Sequence, residues 1–375
     1  MIVERTLSPE FAAVKQLFAS HFERDDEFQE LGAALAVYRH GKKVVDLYGG
    51  YQDPDRLHPW TERSIVNIWS ASKGVMAVAI AQLVDQGLLD YNAPVAIWWP
   101  EFGQAGKQGI TLNQILSHSS GLNGFAALTS TEDLFHWDRI TQRLAAQAPL
   151  WQPGSAASYH GMTFGWLTGE LIRRVTGNTP REYIHSAIAA PLELDLSLGV
   201  YLDRIQDVAE IVPPQPDKNP ITLNEIAHYA ASNPIPDAAN ANRREWRNAE
   251  IPAVNIHATA DSVARIYAAL ANDGMLESIT LLSPNAIDEM RRPRGGCYDE
   301  MLGERQWAAG MALNTTGIYG PNPQAFGHSG WGGSFACADP ENGIGIAYVV
   351  NRMGSALNGD PRARAIVKAV YDSIK

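Results

Sequence analysis

The alternation of apolar and polar positions changes character along the chain. Behind Ser8-Pro9, which reads as an N-cap followed by proline at the first helical position, Phe11, Val14, Leu17, Phe18 and Phe22 follow helical spacing. Residues Gly32–Tyr51 (GAALAVYRHGKKVVDLYGGY) then form two β-rich runs around His40-Gly41, which predicts a hairpin. From about Ser70 to about Ile251 alternating runs are few, and the pattern predicts helices and loops. Within that stretch Thr179-Pro180-Arg181-Glu182 predicts a capped helix start, because threonine can accept from the third amide while glutamate reciprocates. Pro213–Pro220 and Asn233–Pro252, rich in Pro, Asn and charge, read as long surface loops. Thr259 opens a helix with Val263, Ile266, Tyr267 and Leu270 on one face, ending before Gly274. Strand-like runs return in GSFACAD and GIGIAYVVN, joined through Pro340-Glu341-Asn342-Gly343, a turn signal. A last helix starts at Asp360-Pro361 and carries Ile366, Val367, Val370 and Ile374 on one face.

No internal repeat interrupts this order. The pattern therefore predicts an α+β fold, an antiparallel β-sheet flanked by helices. Residues 1–65 and 252–375 would build the sheet domain from both chain ends, with 66–251 inserted as a mostly helical domain. A cleft between two such bodies is the expected place for a site.

Composition narrows the chemistry. The chain has 375 residues and 41 acidic against 30 basic side chains, a net charge of −11 that disfavours nucleic acid or an anionic membrane as partner. Only Cys297 and Cys337 occur, which makes a disulfide framework unlikely to exist and excludes a cysteine-rich zinc site. The start, MIVERTLSPEF, lacks an apolar core of signal-peptide length, and no apolar run approaches the ~20 residues a membrane helix needs; the expectation is a cytoplasmic protein. No His-Glu-x-x-His, P-loop or Gly-x-Gly-x-x-Gly is present, so neither a metal nor another cofactor is expected. RREWR (Arg243–Arg247) and RRPR (Arg291–Arg294) read as solvated basic loops.

Three features carry chemistry. The sharpest is Ser70-Ala71-Ser72-Lys73 at the start of GVMAVAIAQLVDQGLL, apolar nearly all round and so a buried helix. Residues three apart share a helix face, which sets the Ser70 hydroxyl beside the Lys73 amine. A lysine under apolar cover loses proton affinity and can serve as the base a serine nucleophile needs. Ser-x-x-Lys also arises by chance, so it needs company. The second is Tyr159, presented by the Pro153-Gly154 turn ahead of a helix with Leu167, Leu171, Ile172 and Val175. A phenol beside a lysine ammonium is expected to have its pKa lowered and to shuttle a proton. The third is GHSGWGGSFACADPE (Gly327–Glu341), whose glycines 330, 332 and 333 let backbone approach a ligand and offer an N–H to an oxyanion beside that of Ser70.

In this order, Ser-x-x-Lys, Tyr and His328-Ser329-Gly330 resemble the serine β-lactamase and penicillin-binding-protein superfamily, and most closely the class C β-lactamase-like esterases, the family VIII carboxylesterases. ITLNQILSHSSGL (Ile110–Leu122) and IPAVNIHATADSVARIYAALANDG (Ile251–Gly274) extend the likeness over most of the chain. The class C pattern Tyr-x-Asn is departed from at Gly161, and Lys-Thr-Gly at His328; those lost groups would hold a β-lactam's amide and carboxylate. Trp331-Gly332-Gly333 instead resembles the Trp-Gly-Gly element of the esterases. The resemblance implies Ser70, Lys73 and Tyr159 as catalytic residues acting on a small carboxylic ester. His328, Gly330, Trp331 and Ser334 would line the oxyanion and substrate site, with the Trp331 N–H preferred over that of Ser334. The alternatives are a β-lactamase or D-amino-acid peptidase using the same serine, and a non-catalytic member that keeps the fold; the presence of Ser70, Lys73 and Tyr159 weighs against the latter. The sequence leaves a homo-oligomer open. His160 and His328 could each line the cleft or be satisfied structural histidines. No Gly-x-Ser-x-Gly elbow occurs, so Ser329 is not a nucleophile of that kind.

Overall fold

A computed structural model describes residues 2–215, 223–357 and 359–375. Both chain ends contribute to one seven-stranded antiparallel sheet: β1 (Ile2–Leu7), β2 (Gly32–Arg39), β3 (Lys42–Gly50), β4 (Ala312–Leu313), β5 (Phe326–Ser329), β6 (Phe335–Asp339) and β7 (Ile344–Val350), in the order β1-β3-β2-β7-β6-β5-β4. The β2–β3 connection falls where expected. His40 and Gly41 both have positive φ (48° and 72°), the turn geometry that matches the twist of paired strands.

The sheet's two faces differ, and the difference selects their helices. Leu35, Val37, Leu47, Phe335, Ile346 and Tyr348 make one face, packed against α1 (Ala12–Ser20) and a carboxy-terminal helix (Pro361–Asp372). Ala34, Ala36, Ala336, Ala338 and Ala347 make the other, covered by a helix at Ala260–Leu270. Small side chains let that helix approach closely: a Cβ on Gly345 would lie 2.4 Å from the Ala268 nitrogen.

The remaining helices of importance are α2 (Ser72–Asp85), α3 (Thr163–Thr176), then α4 (Ala260–Leu270) and α5 (Pro361–Asp372) already placed on the sheet. α2 is buried from Ser72 to Leu83 and packs on α3. A small second sheet pairs Ile256–Ala258 with both Val66–Asn67 and Leu196–Leu198, fixing the approach to α2.

Several expectations need correction. Ser8 makes no side-chain cap bond, and Pro9 opens a single 3-10 turn before α1. The edge strand β1 was not anticipated, because its exposed positions Val3, Glu4 and Arg5 hide the strand signal. Residues 233–252 are not a solvated loop: they hold a 3-10 turn (Ala238–Asn242) and a helix (Arg244–Asn248), and Trp246 and Ile251 are buried. Two large apolar anchors outweigh the surrounding Pro, Asn and Arg. Of the loop expected at 213–220, residues 213–215 have no regular structure, and the rest lies outside the described residues. Thr179 and Glu182 do form their capping box, and Thr259 caps α4 through the Ser262 N–H.

Candidate active site

Ser70 lies in a one-turn 3-10 segment, Trp69–Ala71, that leads directly into α2. Trp69 sits at φ +51°, a conformation costly for a bulky residue and held by its surroundings. Those surroundings are aromatic: Trp69 packs against Trp246 and Trp331 at 5.8 and 5.4 Å between ring centroids. Ser72 has a structural role, its Oγ accepting from the Ile256 N–H at 3.1 Å and so tying α2 to the small sheet.

Lys73 is fully buried, and its Nζ stands 3.2 Å from Ser70 Oγ. The same nitrogen donates to the carbonyls of Gly161 (2.7 Å) and Ala253 (3.1 Å). No carboxylate partners it among the described ion pairs, and burial drives its pKa well below the ordinary lysine value. A neutral amine has two N–H bonds and one lone pair. With both N–H groups on carbonyls, the lone pair is left for the Ser70 hydroxyl proton. Gly161, where the class C pattern has asparagine, thus contributes its backbone oxygen.

Tyr159 lies beneath this lysine, with Nζ 4.7 Å from its ring centroid. The expectation of a lowered phenol pKa is overturned. Burial pushes it up, and hydrogen bonding to Ser70 offsets only part of that. A phenolate enclosed here would lose its hydration, and that cost dominates the shift. Tyr159 is therefore a neutral O–H donor.

Three residues that sequence reasoning missed fix the tyrosine. Asp299 accepts from the Tyr159 N–H (3.2 Å) and from Trp307 Nε1–H (2.9 Å), and Trp307 stacks on the phenol at 5.6 Å and 10°. His118, at φ +58°, accepts the His160 N–H on Nδ1 (3.1 Å) and packs 4.9 Å from the Tyr159 ring. Only His118 left a trace in the sequence, inside the ITLNQILSHSSGL segment. Asp299 and Trp307 sit far from any motif.

Trp331 lines the cleft with Ser70, and its N–H has no backbone acceptor among the described residues. Gly330 acts by being small. A Cβ there would lie 2.3 Å from the Ile68 carbonyl, so its absence lets the end of β5 close against the Ser70 turn. The other two are not among the residues that line the cleft. Ser334 Oγ accepts from the Val350 N–H (3.2 Å) and its carbonyl from the Gly330 N–H (2.6 Å). His328 is buried outside the cleft lining, Nδ1 against the Ser329 carbonyl at 3.0 Å, with burial holding its pKa down to about 3. His160 is a satisfied structural histidine, bonded to Ser120 Oγ (2.7 Å) and the Ser158 carbonyl (2.8 Å).

The cleft above Ser70 encloses about 690 Å3 out to its mouth, with Leu134, Met162, Ile235, Trp246, Val254 and Trp331 among its walls. Among the described residues the single charged side chain lining it is Asp237. Among the described residues no group of three or more His, Cys, Asp or Glu could hold a metal ion, and no helix is long and apolar enough to cross a membrane.

The chain is similar over nearly its whole length to known proteins. The Beta-lactamase family model matches residues 18–371. The esterase/beta-lactamase LipL of Mycobacterium tuberculosis is 37% identical over 369 residues, covering 93% of this chain and 83% of its own. The crystal structure of a family VIII carboxylesterase superposes with a TM-score of 0.94 at 37% identity, covering 100% of both chains. A penicillin-binding protein homolog from Caulobacter crescentus does so at 0.94 and 41% identity, again over 100% of both.

Proposed function

The chain belongs to the Beta-lactamase family, and from that premise we propose that it is a carboxylesterase working through an acyl-enzyme on Ser70. The observation that carries the reading is the fully buried Lys73 amine, 3.2 Å from Ser70 Oγ with its other two contacts on carbonyls. As Ser70 Oγ attacks the ester carbonyl carbon, its proton passes to the Lys73 lone pair. The carbonyl oxygen takes the electron pair and rests on the N–H groups of Ser70 and Trp331. Collapse of this intermediate breaks the bond to the alcohol oxygen. Tyr159 gives that oxygen its proton and recovers one from Lys73. Water then adds to the acyl-enzyme by the reverse relay, releasing the acid and Ser70.

The cleft favours esters over the alternative β-lactam or D-amino-acid peptide substrates, which carry a carboxylate. Among the described residues its lining is largely apolar with Asp237 as its one charge, and His328 is neutral and outside it. A carboxylate here forgoes a charge-assisted contact worth about 1.5–3 kcal/mol. That corresponds to roughly one to two powers of ten in rate. Trp331 narrows the space next to Ser70, which favours short acyl groups.

The test is a fluorophosphonate probe and a pair of substrates. The probe's mass should appear on the peptide containing Ser70, Ser70→Ala should remove both labelling and ester turnover, and a C4 ester should exceed nitrocefin in kcat/KM by at least about tenfold. Labelling at Ser72, Ser329 or Ser334 with Ser70 untouched defeats the assignment. Equal kcat/KM for the two substrates defeats the specificity.

A further inference from the structure

Behind the Trp331–Gly333 turn, on the side away from the cleft, lies a fully buried arginine. Arg362 is 0% exposed, makes four side-chain hydrogen bonds and pairs in addition with the Glu30 carboxylate. Nε and one terminal nitrogen grip Asp360 (3.0 and 2.8 Å), and the latter also donates to the Gly332 carbonyl at 2.7 Å. The other terminal nitrogen reaches Glu30 (3.0 Å) and the Arg352 carbonyl (3.1 Å). Four separate chain segments therefore converge on one guanidinium, and one of them is the turn that presents the Trp331 N–H.

The turn is built to lie against it. Gly332 and Gly333 have φ of +88° and +127°, and a Cβ on Gly333 would fall 2.6 Å from the Arg362 terminal nitrogen. The Gly332 carbonyl receives a second donor, the Gly354 N–H at 2.9 Å, so its direction is fixed from two sides. The Gly332 carbonyl lies two peptide units beyond the Trp331 N–H, and the Gly330 N–H before it is held by the Ser334 carbonyl at 2.6 Å, so the short segment carrying that amide is anchored on both sides. A purely structural ion network could tie Glu30 to the start of α5 without touching this carbonyl.

We propose that Arg362 is a positioning residue for ester hydrolysis, holding the Gly332 carbonyl so that the Trp331 N–H points at the developing oxyanion. This rests on the Ser70 acyl-enzyme reading above. Lysine cannot replace it, because an ammonium has three donors and no planar fork to span Asp360 and Gly332 together. Asp360 orients the guanidinium and caps α5 through the Arg362 N–H at 2.9 Å.

The experiment compares an oxoester with its thionoester, whose sulfur accepts hydrogen bonds poorly and profits little from an oxyanion site. Active-site titration counts the competent fraction of each protein. In Arg362→Lys the oxoester kcat should fall about 10–100-fold, with KM nearly unchanged, while the thionoester kcat falls much less. The oxo/thiono ratio should thus drop at least about tenfold. Glu30→Gln, which leaves the Gly332 contact in place, should lower thermal stability and keep the ratio. Should Arg362→Lys not fold, Asp360→Asn decides by the same ratio, since asparagine can still cap α5 but no longer clamps the guanidinium. Equal losses on both esters in the folded variant overturn the proposal. Wild-type protein without esterase activity would instead defeat the acyl-enzyme reading itself.

Discussion

At the scale of single residues, the question is where one proton resides. Lys73 and Tyr159 are both fully buried, and burial moves their pKa values in opposite directions, the amine down and the phenol up. Burial thus disfavours the charged form of each, the ammonium on Lys73 and the phenolate on Tyr159. Lys73→Ala and Tyr159→Phe should each lower kcat by about 10^3 or more, and the double variant should cost far less than the product, because the two residues move the same proton. Lys73→Arg should not rescue, since a guanidinium stays charged. The pH profile follows in sign. Activity should rise with pH through the depressed Lys73 pKa and then hold level past the usual phenol range near about 10. A fall in kcat/KM that sets in between about pH 8 and 9 in folded enzyme would show that Tyr159 ionises there and is not the neutral donor. The Ser70–Lys73 pairing was legible because a spacing of three is local. The direction of the Lys73 shift was legible too, from the apolar helix around it, but that of Tyr159 was not, since its burial beside Trp307 and His118 arises only on folding.

At the scale of elements, the site depends on how closely the end of β5 meets the turn before α2. Gly330 sets that distance. Gly330→Ala would drive a methyl group to 2.3 Å from the Ile68 carbonyl, and backbone would have to yield by several tenths of an ångström. The expected result is a kcat loss on the order of 10^2-fold, from misplacement of the Trp331 N–H, with a stability cost of about 1–3 kcal/mol. Steady-state kinetics beside urea unfolding checks this, and a variant losing stability but not kcat would show the contact to be packing alone. Elements whose signals are local were legible: the β2–β3 hairpin from His40-Gly41, the Thr179 box, the Thr259 cap and the β6–β7 turn. Elements decided by tertiary contact were not. β1 has polar, exposed positions and is a strand because β3 offers it an edge. Residues 238–248 fold because Trp246 finds Trp69.

At the scale of the whole molecule, the burial that tunes the site also limits where the fold survives. Burial holds His21 and His160 down to about 4 and His257 and His328 to about 3, and keeps His118 well below its ordinary value. In the unfolded chain each titrates near about 6.5. The folded state therefore binds fewer protons than the unfolded one between these values. The histidine contribution to stability is fully present above about pH 6.5 and is lost as pH falls below it, by about 1.4 kcal/mol per pH unit for each histidine once well below 6.5. Two buried carboxyls oppose this: burial raises Glu30 to about 7 and Asp299 above its usual value, so the folded state takes up protons there. Five deficits against two partial offsets leave a slope of about 4–5 kcal/mol per unit near pH 5. That is comparable with the whole stability of a typical fold, about 5–15 kcal/mol. Unfolding should accordingly begin around pH 5, above the range in which ordinary carboxylates titrate. Urea denaturation at pH 7, 6 and 5 measures the slope directly. His118→Asn, which tolerates the positive φ and can still accept the His160 N–H, should reduce it by one proton's worth. Stability that stays level from pH 7 to pH 5 would mean that these histidines find proton acceptors when charged, and that their burial does not govern the acid limit.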